Sequence, residues 1–257
     1  MGIKSSRELE DGSSNQILMN QKQNNIAPQI IEEKEPSSFK LIFALGIAGL
    51  ISGIILVGTY IYTDPLIKAN KEAAMQRAIF KVLPECTSYT ALKLEDGKLI
   101  EKVADTDKKK ETDKEELLIY AGYNANKQLI GFAIPGSEPG FQDIIGAIFG
   151  YDGTGKVIIG FEVLESKETP GLGDKIFKDA DFKTNFTSLV VEPEIIAVKK
   201  GQKQNPNEVE TITGATISSK AIVRLLNKTM AIWQTTINEY IKQNNITVIN
   251  KHEQARK

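Results

Sequence analysis

The stretch that decides the fold is "GYDGTGKVIIGFEVLE", Gly150 to Glu165, because its pattern occurs a second time in the chain. An earlier segment, "GYNANKQLIGFAIPG" from Gly122, has the same layout. Each has a Gly-Tyr entry, a turn rich in Asn, Asp or Gly, and an apolar strand that carries Gly-Phe. Short apolar runs joined by such turns are typical of β-hairpins. The two segments predict one antiparallel sheet built from paired hairpins, although two copies also fit a shared local solution rather than a true repeat.

The later hairpin contains glycines and a lysine at the spacing of a phosphate-binding P-loop. Gly150, Gly155 and Lys156 match that motif, but Val157 stands where the magnesium-binding hydroxyl belongs. The following residues have the pattern of a strand, whereas a P-loop needs a helix N-terminus there. We interpret the glycines as a hairpin turn.

Outward from the hairpins, residues 41–63 carry no charged side chain. At about 1.5 Å per residue, a helix over this stretch is roughly 34 Å long, enough to cross the hydrocarbon layer. A buried core helix is disfavoured because the stretch has no polar face. A cleaved signal peptide is disfavoured because the preceding region is too long. We predict a single transmembrane helix.

The sequence predicts that the chain is divided into four segments. Residues 1–40 are polar and lack a sustained apolar face, so we expect a disordered segment. The transmembrane helix occupies 41–63, a folded domain 64–243, and a polar tail 244–257. The predicted fold class is α+β, with the antiparallel sheet and packed helices in the domain.

Within the domain, Asp64 and Pro65 are expected to open a helix that runs to about Leu83. A first strand is expected near residues 89–104, followed by a charged, solvated loop over 105–116. An amphipathic helix that packs on the sheet is predicted from about Ser218. Its apolar stripe consists of Ile222, Leu225, Leu226, Met230, Trp233, Ile237 and Tyr240.

Composition excludes several kinds of chemistry. The formal net charge is −1, and a nucleic-acid binder would show a basic patch or stripe. The chain has one cysteine, Cys86, and one histidine, His252, which lies in the polar tail. Ser-His-Asp, Cys-His and multi-histidine or multi-cysteine metal sites are thereby nearly excluded. We expect no metal and no catalytic side chain, so the chemistry would come from a cofactor.

One candidate motif is "ESKETPGLGDKI", from Glu165 to Ile176. Pro170 fixes one φ angle, and Gly171 and Gly173 allow positive φ and a close approach of the backbone. Leu172 is thus expected on a tight loop, where its apolar side chain could cover a flat ligand. The alternative to a ligand-binding loop is that the segment is only a wide turn following the preceding strand. The candidate binding residues are Glu168, Thr169, Pro170, Gly171, Leu172, Gly173 and Lys175.

The second motif, "ETITGATISS" from Glu210 to Ser219, precedes the last helix. Gly214 and Ala215 leave room for a bulky group near the backbone. A helix N-terminus favours anions, so a phosphate on or near Thr213 or Thr216 would be well placed. The alternative is that Thr216 or Ser218 simply caps the helix.

Together, "ETPGLGDK" and "TGATIS", after one membrane span and before a closing helix, resemble the FMN-binding G subunit of the Rnf electron-transport complex. The resemblance covers residues from about 41 to 243. The C subunit of the sodium-translocating NADH:quinone reductase shares both motifs. Glu210 stands where the family usually has Asp, and Ser166 where many members have His.

This resemblance implies a covalent cofactor. In the family, FMN is joined through its phosphate to the last threonine of the [Ser/Thr]-Gly-Ala-Thr motif, which here is Thr216. Thr213 and Ser218 would hydrogen-bond the phosphate, and Gly214 and Ala215 would make room for it. The flavin ring would lie toward Thr169–Gly173 with Leu172 against it.

The resemblance also implies a function. The chain would relay electrons within a membrane complex that couples electron transfer between ferredoxin and NAD to ion movement, and it would not be catalytic alone. Its partners would be the other subunits, the membrane and a flavin transferase. Its C-terminal domain would be extracytoplasmic, although the lysines around the span lean slightly the other way. The alternatives are the quinone-reductase C subunit and a membrane-anchored sensor or assembly protein.

Overall fold

The computed structural model describes residues 37–102, 117–154 and 156–244. The chain divides into two compact units, residues 1–63 and 64–257. The expected solvated loop over 105–116 and His252 lie outside the described residues, as does most of the predicted N-terminal disordered segment.

The first helix, α1, runs without a break over Ser38–Val82. The sequence predicted two helices that meet at Asp64 and Pro65, but Pro65 lies inside the continuous helix. A proline inside a helix removes one backbone hydrogen bond, which weakens the helix there without necessarily ending it. The apolar N-terminal part of α1 is exposed, and among the described residues α1 is the one helix long and apolar enough to cross a membrane.

A seven-stranded sheet forms the centre of the second unit. Its order is β2-β1-β3-β4-β5-β6-β7, and every neighbouring pair is antiparallel. The strands are β1 (Ser88–Glu95), β2 (Lys98–Glu101), β3 (Leu118–Tyr123), β4 (Leu129–Pro139), β5 (Ile144–Asp152), β6 (Val157–Glu165) and β7 (Leu189–Val190). The two predicted hairpins are β3–β4 and β5–β6, and they lie side by side, which confirms the predicted antiparallel sheet.

The region predicted as a first strand is instead a hairpin, β1–β2. Asp96 and Gly97 form its two-residue turn with φ angles of +48° and +75°. An Asp-Gly pair is favoured in such a turn because both central residues need positive φ. The single-strand prediction overlooked this turn signal.

The two faces of the sheet are covered by different helices. Along β5, Ala147 and Phe149 belong to one apolar cluster and Ile148 to another, as expected when successive side chains point to opposite faces. The last turns of α1 cover one face through Ile79 and Val82.

The helix α4, Thr216–Gln243, covers the other face. It begins two residues before the predicted start at Ser218. Its predicted stripe is buried except for Tyr240, which is half-buried against the core.

Short elements connect the sheet to α4. Two short helices, α2 (Lys175–Lys178) and α3 (Ala180–Thr184), follow β6. A parallel pair, β8 (Ile196–Lys199) and β9 (Glu208–Thr211), comes next. Strand β9 ends directly before the turn that opens α4, so the parallel pair sets where that turn lies.

Candidate functional site

The two sequence motifs lie next to each other in the structure. Gly214 has a φ of +83°, and a Cβ atom built on it would lie 3.8 Å from Cδ2 of Leu172. Leu172 is 51% exposed although it is a large apolar residue. The loop of the first motif therefore presents an exposed apolar side chain beside the turn of the second.

The loop over residues 169–173 is a tight turn closed by its own backbone. The N–H groups of Leu172 and Asp174 donate to the Thr169 carbonyl oxygen at 3.2 and 3.4 Å. Gly171 has a φ of +78°, a conformation that favours glycine. Pro170 and Gly171 are exposed, and Lys175 is half-buried at the start of α2. This geometry holds Leu172 on the outside of the loop.

Glu168, directly before the loop, is a buried carboxylate. Its Oε1 accepts the backbone N–H groups of Phe141 and Gln142 at 2.9 and 3.0 Å. Its Oε2 accepts the Ser218 hydroxyl at 2.6 Å. Burial by itself raises the pKa of Glu168, but the hydrogen bonds from Ser218, Gln142 and Phe141 outweigh burial and lower the pKa below its ordinary value. The group is therefore a carboxylate at neutral pH.

Gly173 packs tightly on this carboxylate. A Cβ atom on Gly173 would lie 2.8 Å from Cβ of Glu168 and 3.0 Å from Oγ of Ser218. Neither distance is compatible with an ordinary carbon contact. Gly173 is thus required because packing leaves no room for a side chain, whereas Gly171 is required because its φ angle is positive.

The turn before α4 exposes the predicted attachment residue. Thr213, Gly214 and Thr216 are exposed, while Ala215 is buried. The Thr216 hydroxyl makes a long hydrogen bond of 3.4 Å to the Ile212 carbonyl. A reactive group can therefore reach this oxygen from solvent.

Simple capping does not explain these hydroxyls. The residue at the N-cap position is Ala215, which makes no side-chain hydrogen bond there. Ser219 closes the turn instead, accepting from the Ile212 N–H at 3.1 Å and donating to the Ala215 carbonyl at 2.9 Å. Ser218 is buried and donates to Glu168, so it is turned away from the exposed Thr216. The capping alternative for Thr216 and Ser218 is not what the structure shows.

A cleft of about 230 Å³ opens beside Thr213. Two lysines, Lys175 and Lys200, line it together with three carboxylates, Asp179, Asp181 and Glu210. The Glu210 carboxylate accepts the backbone N–H of Gly201 at 2.8 Å, which ties it to the β8–β9 connection. The glutamate at the family's aspartate position is thus held by the fold and does not point freely into solvent.

The turn between β4 and β5 also contributes to the site, although neither sequence motif includes it. Gln142 accepts the Thr169 hydroxyl at 2.9 Å, and Phe141 is 67% exposed beside the site. A Pro-Gly turn signal at Pro139 and Gly140 precedes them. No spacing in the sequence relates residue 142 to residue 169, because only the pairing of β4, β5 and β6 brings the two loops together.

The exposed groups of the site are of a kind that can hold a phosphate and a flat ring. In the described part of the chain, no three His, Cys, Asp or Glu side chains are grouped to hold a metal ion. An exposed threonine hydroxyl at a helix N-terminus, an adjacent glycine without a side chain, and an exposed leucine beside them fit a phosphate carrying a flat apolar ring.

Comparison with known proteins agrees with a flavin site. Residues 140–231 match the FMN-binding domain family, a range that contains both motifs and the β4–β5 turn. The G subunit of the proton-translocating ferredoxin:NAD(+) oxidoreductase complex of Clostridium ljungdahlii is 30% identical over 194 residues, covering 75% of this chain and 90% of that protein. The G subunit of the Na(+)-translocating ferredoxin:NAD(+) oxidoreductase complex of Acetobacterium woodii is 28% identical over 208 residues, 79% of this chain and 97% of that protein.

Solved structures show the same fold. NqrC of Shewanella oneidensis superposes with a TM-score of 0.53 at 17% identity, covering 68% of this chain and 99% of that one. The C subunit of the Na(+)-translocating NADH-quinone reductase of Parabacteroides distasonis superposes with a TM-score of 0.51 at 18% identity, covering 65% of this chain and 93% of that one. At this identity the likeness concerns architecture alone.

Proposed function

Because the chain belongs to the family of G subunits of ion-translocating oxidoreductase complexes, we propose that it carries FMN covalently on Thr216 and relays electrons within such a complex. The complex would couple electron transfer between ferredoxin and NAD to ion movement across the membrane. The chain is a component of an enzyme complex and has no catalytic side chain of its own in this proposal.

The observation that carries the attachment proposal is the position of the Thr216 hydroxyl. Thr216 is exposed and is the first residue of α4, two residues after Gly214, where an added Cβ atom would lie 3.8 Å from Leu172. The free N–H groups at the start of α4 favour a negatively charged phosphate at this place. A covalent bond at Thr216 would keep the cofactor at one fixed position in the electron-transfer chain.

The surrounding residues would each have a simple role. FMN supplies the ability to accept and donate electrons. Leu172 would cover one face of the ring, Gly214 and Ala215 would leave space for the phosphate, and Thr213 would hydrogen-bond it. Lys175 lines the adjacent cleft and adds positive charge near an anion.

The loop residues around Leu172 act through shape. Gly171 and Gly173 set the backbone that holds Leu172 outward, Pro170 stiffens it, and Thr169 joins it to the β4–β5 turn through Gln142. Ser218 was expected to bind the phosphate, but because its hydroxyl is bonded to Glu168, we assign it to holding α4 against this loop.

The chain is membrane-anchored through the apolar part of α1. We further propose that residues 41–63 form the span and residues 64–243 an extracytoplasmic FMN-binding domain, with 1–40 and 244–257 as polar ends. A flavin transferase would attach the cofactor, and the other subunits of the complex would be the electron partners.

Mass spectrometry of two threonine variants tests the attachment. The full chain is co-expressed with a flavin transferase, and its intact mass and its in-gel flavin fluorescence after denaturation are measured. Thr216→Val should lose the added mass and the fluorescence completely, because valine has nearly the same shape but no hydroxyl. The matched variant Thr213→Val, in the same turn, should keep both. Fluorescence that survives in Thr216→Val would show that another residue carries the flavin.

A further inference from the structure

Among the described residues three glutamates are buried, Glu138, Glu168 and Glu208, and the surroundings of the first two differ. Glu138 is paired with two cations, Arg224 and Lys228, at 3.1 and 2.8 Å. The hydrogen bonds of Glu168 come from backbone N–H groups of the β4–β5 turn and from one hydroxyl, all neutral donors. Among the described residues, no lysine or arginine forms an ion pair with Glu168. Within this described part of the chain, dipoles stabilise its negative charge and no counter-ion is paired with it.

This carboxylate lies where three segments of the site meet. It directly precedes the loop that holds Leu172, it accepts the backbone of the β4–β5 turn, and it accepts Ser218 in the first turn of α4. Ser218 is two residues from Thr216. A group attached to Thr216 and resting toward Leu172 would therefore lie against the loop that packs on Glu168 through Gly173.

We propose that Glu168 is a positioning residue that also lowers the redox potential of the flavin, by holding a fixed negative charge under the loop that carries Leu172. The inference rests on the proposed function. An electron that enters the ring brings negative charge toward this carboxylate, and the repulsion makes reduction less favourable. In a partly buried site this interaction is weakly screened, so a single charge has a measurable effect.

A purely structural role would not require a carboxylate. A glutamine at residue 168 could accept the Phe141 and Gln142 N–H groups through its amide oxygen. Its amide nitrogen could donate to the Ser218 hydroxyl oxygen, so the three contacts would remain with one hydrogen bond reversed. Glu168→Gln therefore removes the charge while keeping the shape and the contacts.

The test is a comparison of flavin midpoint potentials in the full, flavinylated chain, measured by equilibration with a redox dye. Glu168→Gln should have a more positive potential than the wild type. At the wild-type midpoint, the ratio of reduced to oxidised flavin should rise on the order of tenfold. Glu239→Gln is the matched control, because Glu239 is an exposed glutamate near the far end of α4 and its loss should leave the potential unchanged.

A second variant separates charge from geometry. Ser218→Ala keeps the carboxylate but removes its link to α4, so its potential should stay close to that of the wild type. The inference is overturned if Glu168→Gln has the wild-type potential, or if Ser218→Ala shifts the potential as much as Glu168→Gln does. Failure of Glu168→Gln to fold or to carry flavin would also overturn it, since the carboxylate would then be needed for structure or attachment. A wild-type chain without covalent flavin would instead refute the proposed function.

Discussion

At the scale of single residues, Glu138 shows how a buried charge is held by residues far away in the chain. It lies on β4, and its carboxylate accepts from Arg224 and Lys228, which lie one helical turn apart on α4. Burial raises the pKa of Glu138, but the hydrogen bonds and charges of Lys228 and Arg224 outweigh burial and lower the pKa below its ordinary value. These contacts fasten the closing helix to the sheet.

Glu138→Gln should lower the free energy of unfolding of the domain by about 1–2 kcal/mol at pH 7, because it removes the two charged contacts. The loss should be no larger, since both cations are exposed enough to be solvated when residue 138 carries no charge. A folded-state pKa below the unfolded one stabilises the fold above the unfolded pKa, and this stabilisation is lost as pH falls through the folded pKa. The difference between wild type and variant should therefore shrink below about pH 4.3, the usual glutamate value. Urea unfolding at pH 7 and at acidic pH measures this difference in the free energy of unfolding. A difference that stays constant with pH would contradict a stabilising charge on Glu138.

At the scale of elements, four glycines explain the repeated pattern of the two hairpins. Gly122 is paired with Gly131, and Gly150 with Gly160, across neighbouring strands. A side chain on Gly150 or Gly160 would collide with the carbonyl of Val82, and one on Gly122 with Leu83. Gly122, Gly150 and Gly160 therefore leave room for the end of α1, whereas a side chain on Gly131 would collide with the carbonyl of Tyr151. Three of the four glycines thus recur because the end of α1 packs against both hairpins.

Gly160→Ala should destabilise the second unit by about 1–3 kcal/mol or more, because the atom in the way is backbone and cannot turn aside. Thermal or urea unfolding measures the loss. Gly146→Ala, on the adjacent strand β5, is the control. Its added Cβ would meet Glu165 only at 3.7 Å, an ordinary contact, so its stability should change by no more than about 0.5 kcal/mol. Equal effects of the two substitutions would mean that the end of α1 does not lie on Gly160.

At the scale of the whole molecule, the apolar stretch and the folded domain share one helix. The helix α1 begins at Ser38, before the apolar stretch, and continues to Val82, which is buried in the second unit. We propose that the second unit lies on the extracytoplasmic side of the membrane, since long domains cross largely regardless of flanking charge.

Labelling of single cysteines measures that topology. In a Cys86→Ala background, Ser137→Cys places an exposed thiol on β4 and Ser38→Cys places one at the start of α1. An impermeant maleimide added to intact cells, with access through any outer membrane, should label Ser137→Cys and should label Ser38→Cys only after lysis. The reverse pattern would place the domain in the cytoplasm.

Local sequence determined much of this protein. The span, the two central hairpins, the stripe of α4 and the pairing of "ETPGLGDK" with "TGATIS" were readable because periodicity, turn residues and glycine placement act over a few residues. Local signals were misread at two places: Asp96-Gly97 makes a hairpin where one strand was expected, and Pro65 fails to break α1. The first error came from an overlooked turn signal, and the second from treating proline as an absolute stop.

Tertiary structure alone decided what the polar residues of the site do. Glu168 and Ser218 are separated by 50 residues along the chain, and their hydrogen bond depends on how α4 crosses the sheet. The same holds for Gln142 beside Thr169 and for Val82 over Gly160. Such contacts join residues whose distance is set by strand pairing and by packing of the core. The spacing of residues in the sequence shows neither the pairing nor the packing. The sequence could therefore single out the Thr216 hydroxyl, whereas the contacts of the Glu168 carboxylate became visible only in the folded chain.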